Sequence, residues 1–142
     1  MISTAQYIEK LRKSGLRPTK QRIKICEILF NTDKTFHFTI NDLVKMIEFK
    51  TNQKISLATV YNTVHAFKKK GYLKEISINS DKSYFDTNTS NHHHFFDEDL
   101  NKLIDCSSDE IGEVKIKKNI TGKKINSVEV LVKVATDNQN QK

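Results

Sequence analysis

The chain has 142 residues, of which 37% are hydrophobic, and a formal net charge of +7, which suits one domain or two small ones. Two distant cysteines, Cys26 and Cys106, do not make a disulfide framework. Since no stretch approaches the roughly 20 apolar residues of a membrane span and no apolar run precedes a cleavage site, we predict a cytoplasmic protein with no membrane partner.

The charge is unevenly distributed along the chain. Residues 1–85 contain 16 basic and 7 acidic residues, a net of +9, whereas residues 86–142 contain 8 and 10, a net of −2. A basic half attracts a polyanion, while an acidic half repels it and offers oxygen ligands. A solvated or membrane-adsorbing surface is the alternative for the basic half. Its lysines are spread through patterned helices rather than gathered in one run, which favours nucleic acid.

The first 50 residues predict three helices, each with a capping residue ahead of an apolar pattern of helical period. Ser3 or Thr4 begins the first helix, and Thr19 caps the second over residues 20–30. Residues 39–42 resemble a capping box and begin the third. The side chains predicted to face inward are Ile8, Leu11, Ile23, Cys26, Ile28, Leu29, Phe30, Leu43, Met46 and Ile47.

A fourth helix, predicted between the N-cap Ser56 and the terminating Gly71, is the most informative segment. Its predicted inward stripe is Leu57, Val60, Val64 and Phe67. Its outer face carries Ala58, Thr59, Tyr61, Asn62, His65 and Ala66. A face that only meets water normally carries Lys and Glu pairs, whereas this one is small, uncharged and able to contact base edges. The helix is therefore predicted to read DNA; the alternative is an amphipathic helix with a bland outer face.

A predicted β-hairpin follows the fourth helix. Alternating runs at residues 73–78 and 83–86 flank a turn-forming tetrapeptide. Helices followed by a hairpin, with the last helix presented outward, make a winged helix-turn-helix, which we place at residues 1–86. The polar segment 87–91 is predicted to be a hinge.

The second half is predicted to be a small domain over residues 92–136, followed by a disordered tail at 137–142. Residues 95–98 and 102–106 predict a strand pair, and the alternating valines of residues 128–134 predict a further strand. A domain of about 50 residues buries little of its surface and is only marginally stable alone. Pairing with a second copy would solve this and would match a two-fold DNA site.

Three of the five histidines are consecutive at residues 92–94. In an extended segment alternate residues point the same way, so His92 and His94 can converge on one metal while His93 faces elsewhere. Imidazole suits Zn, Fe, Ni and haem iron, and nearby carboxylates shift the preference toward Fe, Mn and Zn. The nearby carboxylates are Asp86, Asp97, Glu98, Asp99 and Asp105. A histidine-rich surface loop is the alternative, and an isolated His37 would more often be a packed histidine than a ligand.

At four places the chain resembles the ferric uptake regulator family: residues 15–22, residues 56–63, residues 82–86 and the histidine run. The segment SLATVY is specific, and SYFDTNTSNHHHFFDED is most similar to the iron response regulator branch, which senses haem. The resemblance implies an α+β protein with a winged helix-turn-helix domain followed by a small α/β dimerisation domain. It also implies a homodimeric transcription factor, mainly a repressor, that controls genes of iron or haem metabolism.

The resemblance also implies which residues form the sites. The implied DNA contacts are Arg17, Thr19, Arg22, Ser56, Thr59, Tyr61 and Asn62. Among them Tyr61 would meet bases in the major groove, and Arg17 would enter the adjacent minor groove of an A·T-rich, two-fold operator. The implied ligands of Fe, Mn or Zn are His37, Asp86, His92, His94 and Asp105. Haem, as a regulatory ligand, would be held by His92, His93 and His94.

The chain departs from the family's pattern in its cysteines. The family usually holds a structural zinc with Cys-x-x-Cys shortly after the histidines, where this chain has Asp97 and Leu100. Two distant cysteines cannot assemble a four-cysteine zinc site within one chain. Asn91 replaces a histidine of a further family site. Neither cysteine is followed by proline, as in the haem motif of some iron response regulators, so any haem should be held by the histidines.

Two alternatives to a haem-responsive regulator remain. The nearer one is a repressor that depends on Fe, Mn or Zn without sensing haem. The remote one is a small metal-dependent hydrolase that uses the His/Asp cluster. Catalytic metal sites need an open coordination position and a pocket, and nothing else in the chain suggests a nucleophile or a cleft. We therefore predict that the protein is not an enzyme.

Overall fold

The computed structural model describes residues 2–138, and the chain divides into two compact units, Met1–Thr89 (unit 1) and Ser90–Lys142 (unit 2). Among the described residues, no helix is both long and apolar enough to cross a membrane. Most of the predicted disordered tail, residues 139–142, lies outside the described residues.

Unit 1 contains four helices, and their predicted caps are confirmed. The helices are α1 (Thr4–Lys13), α2 (Lys20–Phe30), α3 (Ile40–Thr51) and α4 (Leu57–Lys70). The N-cap side chains of Ser3, Thr19, Thr39 and Ser56 each accept a hydrogen bond from the backbone N–H three residues later. Each bond satisfies one donor that the first helical turn leaves without a partner. Gly71 ends α4 in the left-handed conformation (φ 88°), which carries little penalty for glycine.

The core of unit 1 lies between these helices. Its buried side chains include Tyr7, Leu11, Ile25, Cys26, Leu29, Leu43, Val60, Val64 and Phe67. Two inward predictions were wrong: Leu57 is 57% exposed, and Ile8 is only half-buried and lies outside the core, where the neighbouring Tyr7 is buried instead. The first turn of α4 extends past the core, and Ile55 in the preceding loop is buried instead. Thr63 is also fully buried, with its hydroxyl donating to the carbonyl of Thr59 (2.7 Å).

A three-stranded antiparallel sheet completes unit 1 and forms the wing. Its strands are β1 (His37–Phe38), β2 (Lys74–Asn79) and β3 (Lys82–Asp86), in the order β1-β3-β2. The short strand β1 was not predicted, because two residues are too few to show an alternating pattern. In the β1–β3 pair, His37 lies opposite Asp86 and Phe38 opposite Phe85.

Unit 2 contains a second three-stranded sheet. Its elements are β4 (His93–Asp97), β5 (Lys102–Cys106), the short helix α5 (Ser108–Ile111) and β6 (Leu131–Val134). The order is β5-β4-β6, with β4 antiparallel to β5 and parallel to β6. The α+β fold is confirmed.

Two strand boundaries in unit 2 differ from those predicted. Strand β4 begins at His93 rather than at residue 95, since the His94 N–H donates to the Val130 carbonyl (3.0 Å) and extends the sheet to the histidines. Strand β6 covers Leu131–Val134 only, and Val128 and Val130 precede it. Residues 112–130, all of which are described, connect α5 to β6 without a helix or strand.

Candidate nucleic-acid interface and metal centre

The outer face of α4 is uncharged, as predicted, but only half of its six residues are exposed, since Thr59, His65 and Ala66 are half-buried. The exposed ones are Ala58, Tyr61 and Asn62. The Ser56 hydroxyl accepts a hydrogen bond from the Thr59 N–H (3.3 Å), so the Ser56 side chain is used to cap the helix. Polar and small side chains on such a face can approach base edges in a groove.

His65 has a different place from the rest of that face. It is half-buried, and its ring lies between those of Tyr61 (centroids 4.1 Å apart) and Phe85 (5.5 Å). The sequence assigned His65 to the outer face, but its contact with Phe85 of β3 connects it to the wing.

The three lysines at the end of α4 do not all have the same environment. The Lys68 ammonium lies 2.5 Å from the Glu75 carboxylate on β2 and therefore joins the helix to the wing. A hydrogen bond from Lys68 is the main cause that lowers the pKa of Glu75. Lys69 and Lys70 are exposed at the helix end, where phosphates of a bound duplex would lie.

The loop between α1 and α2 brings together Arg17, Thr19 and Arg22. Arg17 is exposed, and its carbonyl accepts a hydrogen bond from the Arg22 guanidinium (3.0 Å). The Thr19 hydroxyl caps α2 by accepting from the Arg22 N–H (3.2 Å). The buried Nε of Arg22 has no hydrogen-bond partner among the described residues. Thus Arg17 presents its side chain outward, whereas Arg22 is partly used to hold the loop.

In unit 2, His92, His94 and Asp105 converge. His94 lies directly opposite Asp105 in the β4–β5 pair. The Asp105 Oδ1 is 3.1 Å from the His94 Nε2 and 3.6 Å from the His92 Nε2, and the two imidazole centroids are 4.3 Å apart. One donor atom from each of the three residues lies within 4.8 Å of the others. The predicted convergence of His92 and His94 is confirmed.

A backbone carbonyl orients His92 for this arrangement. The Nδ1 of His92 lies 2.8 Å from the Ser90 carbonyl oxygen. Because a carbonyl only accepts, Nδ1 must carry the hydrogen, which leaves the lone pair of a neutral imidazole on Nε2. A hydrogen bond of this kind fixes the tautomer and ring orientation of metal-binding histidines. No sequence pattern signals this contact, since any residue supplies a carbonyl.

His93 faces elsewhere, as predicted. Its Nδ1 accepts a hydrogen bond from the Val130 N–H (2.9 Å), next to the residues that pair β4 with β6. This nitrogen is therefore occupied in joining the two strands. The contact was not predicted, because Val130 lies 37 residues away in the chain.

The other two implied metal ligands, His37 and Asp86, belong to unit 1. They lie opposite each other in the β1–β3 pair, and Asp86 is buried at 1% exposure. The Asp86 carboxylate accepts from the Asn88 N–H (2.8 Å). A buried carboxylate needs hydrogen bonds, an ion partner or a metal, so its position suits a ligand role.

The donors of unit 2 fit a divalent metal by their chemistry. Two imidazole nitrogens and a carboxylate oxygen suit Zn, Fe or Mn better than a set of oxygen donors alone would.

Asp97 lies at a position where the family usually has cysteine. Its carboxylate accepts hydrogen bonds from the N–H groups of Asp99 and Leu100 and caps the β4–β5 turn. Both cysteines are buried and free, and burial raises the pKa of the Cys26 thiol to about 12.

Comparison with known proteins gives the family. The model of the ferric uptake regulator family matches residues 13–134. The peroxide operon regulator of Bacillus subtilis (strain 168) is 35% identical over 121 residues, which are 84% of this chain and 81% of that protein. The ferric uptake regulator of Vibrio cholerae has the same fold, with a TM-score of 0.67 at 20% identity over 91% of this chain and 98% of that one.

A further solved structure, the ferric uptake regulator from Pseudomonas aeruginosa with manganese, has a TM-score of 0.65 at 20% identity and covers 92% of this chain and 97% of that one. At this identity the two structures show the fold, while the family model and the B. subtilis relative show the family. The chain belongs to the ferric uptake regulator family, and it is a metal-responsive, DNA-binding transcriptional regulator rather than an enzyme.

Proposed function

We propose that the protein is a cytoplasmic repressor that binds duplex DNA as a homodimer when it holds a divalent metal. The observation that carries this proposal is the convergence of His92, His94 and Asp105 in unit 2, with the His92 tautomer set by a carbonyl. The full set of proposed ligands is His37, Asp86, His92, His94 and Asp105.

The five proposed ligands come from both units of the chain. Asp86 ends β3, and only residues 87–91 separate it from His92 in the sequence. A metal held by residues on either side of this proposed hinge would favour one orientation of the DNA-binding domain (residues 1–86) relative to the following domain (residues 92–136). Metal can shift this equilibrium only by its differential affinity for the orientations.

The proposed DNA surface is the outer face of α4 together with the loop before α2. Its residues are Arg17, Thr19, Arg22, Ser56, Thr59, Tyr61 and Asn62. The net charge of +9 on residues 1–85 supports association with a polyanion. The exposed Arg17 would enter a narrow, A·T-rich minor groove, where the negative potential is enhanced. A homodimer would match a two-fold operator.

The proposed dimer interface lies on unit 2, which leaves many large apolar side chains exposed. They are Leu100, Ile104, Val114, Ile116, Ile120 and Ile125. Large exposed apolar surfaces mark association sites in soluble proteins. Because a unit of this size has little core of its own, a second copy that covers these side chains would also stabilise it.

We propose that the regulatory signal acts through the metal. The B. subtilis relative is named for peroxide, and this chain's His/Asp donors can hold iron, with which peroxide reacts. Regulation by haem at His92, His93 and His94, as in the iron response regulator branch, is the second candidate. The geometry favours a metal ion, because His94 is only 4% exposed and the Nδ1 of His93 is occupied.

The test is metal-dependent binding to a duplex selected from a random pool by the manganese-loaded protein. Fluorescence anisotropy should show that chelation lowers affinity for the selected duplex by about tenfold or more, the range of typical allosteric coupling. Equal affinity with and without metal would contradict the proposal. Peroxide added to the iron-loaded protein should release the duplex, and the manganese-loaded protein serves as the control.

Haem is tested separately by titrating hemin into wild type and into the His92→Ala/His93→Ala/His94→Ala variant. The metal hypothesis expects no hemin-dependent release of DNA from the wild-type protein. Release of DNA from the wild-type protein, together with hemin absorption bands that the triple variant lacks in the absence of DNA, would instead establish haem as the signal at these histidines.

A further inference from the structure

Three aromatic rings contact one another in series from the core of unit 1 to the outer face of α4, one contact edge-on and one tilted, and we call this series the stack. Phe85 of β3 is 2% exposed and packs in the core. The His65 ring meets the Phe85 ring at an interplanar angle of 79°, with centroids 5.5 Å apart. The Tyr61 ring contacts the His65 ring at an interplanar angle of 39°, with centroids 4.1 Å apart. The stack therefore ends at Tyr61, which is 51% exposed.

The spacing along α4 makes this contact possible. Tyr61 and His65 are four residues apart, so their side chains are neighbours on the helix surface. An exposed tyrosine samples several rotamers, and ordering it on binding costs conformational entropy. The His65 ring, which is held against the buried Phe85, restricts the rotamers of Tyr61 before DNA binds.

The position of His65 is poorly suited to reading bases directly. It is half-buried between two rings, whereas Tyr61 and Asn62 are exposed on the same helix. A Lys or Glu at this position would have extended into solvent and left Tyr61 without a neighbouring ring. The geometry therefore assigns His65 an effect on its neighbour rather than a contact of its own.

We propose that His65 is a positioning residue that holds the Tyr61 ring in the orientation used to read a base. The inference rests on the proposed role of α4 in DNA binding and deepens it, since it names what sets the orientation of the reading side chain. The partner class is duplex DNA, and the specificity depends on a residue that need not touch it.

A double-mutant cycle on the manganese-loaded full chain tests this. The variants are His65→Ala, Tyr61→Ala and the double substitution, each measured on the selected duplex and on a random duplex of equal length. His65→Ala should weaken binding to the selected duplex by about fivefold and leave the random duplex unaffected, and the double variant should bind like Tyr61→Ala alone. His65→Phe should restore most of the affinity, because a second ring can stack on Tyr61 and Phe85.

A spectroscopic measurement without DNA complements the cycle. A ring stacked on Tyr61 shifts its ring-proton NMR signals, so His65→Ala should move these signals toward the values of a free tyrosine, and His65→Phe should not. Lys69→Ala, at an exposed position of the same helix, is the matched control. If the alanine variant fails to fold, His65→Leu keeps apolar bulk against Phe85 while removing the stacked ring.

The outcomes separate the two proposals. Suppose that Tyr61→Ala weakens binding and that the losses of affinity for the selected duplex add in the double variant. This result would overturn the positioning role and show that His65 contacts DNA independently. Tyr61 signals that do not respond to His65→Ala would also overturn it. If Tyr61→Ala leaves binding to the selected duplex intact, base reading by Tyr61 fails and this inference with it, whereas the proposed interface fails only if Asn62→Ala and Arg17→Ala are also without effect.

Discussion

The Nε2 of His94 lies 3.1 Å from the Oδ1 of Asp105, and the two residues are direct partners across the β4–β5 pair. His94 is nearly buried, whereas the Asp105 side chain is 61% exposed. The sheet therefore holds the imidazole rigidly, and the carboxylate supplies a charge at the solvent side. Because the sheet already orders the His94 imidazole, metal binding would have to order only the Asp105 carboxylate.

Removing the Asp105 charge is expected to weaken metal binding. We expect Asp105→Asn to lower the affinity for Mn²⁺ by at least about tenfold, since even outer-shell partners of metal ligands contribute that much. Isothermal titration calorimetry on the full chain measures this directly. Asp109→Asn, which makes the same charge change in α5, is the control. Equal affinities in the two variants would remove Asp105 from the ligand set.

The outer face of α4 is expected to determine sequence preference. Tyr61→Ala and Asn62→Ala should each weaken binding to the selected duplex by roughly 1–3 kcal/mol and leave random DNA almost unchanged. Lys70→Ala, at the basic end of the helix, should weaken both to a similar extent because phosphate contacts carry no sequence information. Equal loss on both duplexes for Tyr61 and Asn62 would mean that this face positions the protein without reading sequence.

Arg17 is expected to respond to the sequences that flank the site. Its side chain is exposed while its carbonyl is held by Arg22, so the guanidinium is presented from an ordered backbone. We expect Arg17→Ala to weaken binding most where A·T tracts flank the site. The slope of log affinity against log salt should fall by about one unit if Arg17 also contacts phosphate. Independence from flanking composition would contradict insertion into the minor groove.

The pair Lys68–Glu75 is expected to stabilise the packing of α4 on the wing in a pH-dependent manner. The hydrogen bond from Lys68 lowers the pKa of Glu75 below its ordinary value of 4.5. The stabilisation is therefore fully present above pH 4.5 and is lost as the pH falls through the lowered pKa. The Glu75 side chain is 22% exposed and that of Lys68 is 45% exposed, so solvent screens part of the interaction.

Glu75→Gln should consequently lower the free energy of unfolding by about 0.5–1 kcal/mol at pH 7. Urea denaturation at pH 7 and again at pH 3 measures the effect, and the difference from wild type should shrink at the lower pH. Glu9→Gln is the matched control, because the Glu9–Lys13 pair is mostly exposed. A difference that persists unchanged at low pH would show that packing, rather than charge, is responsible.

Local chemistry was sufficient to predict the helices of unit 1 and the convergence of His92 and His94. A cap such as Ser56 or Thr39 acts on an N–H three residues away, so the sequence contains both partners within one turn. His92 and His94 are likewise close in the sequence, and alternation along an extended segment places both side chains on the same side. The segment SLATVY and the histidines also carried the family resemblance that the family model confirms.

Which residues lie beside these side chains depends on the packing of elements that are distant in the sequence. Asp105 meets His94 through the register of β4 and β5, and His65 packs on Phe85 although 20 positions separate them in the sequence. The exposure of Leu57 and the start of β4 at His93 likewise depend on distant partners. A periodic pattern shows which face of an element is apolar, but not where the neighbouring element ends. Contacts between residues far apart in the chain are set by how all the elements pack together, and one-dimensional patterns do not contain that information.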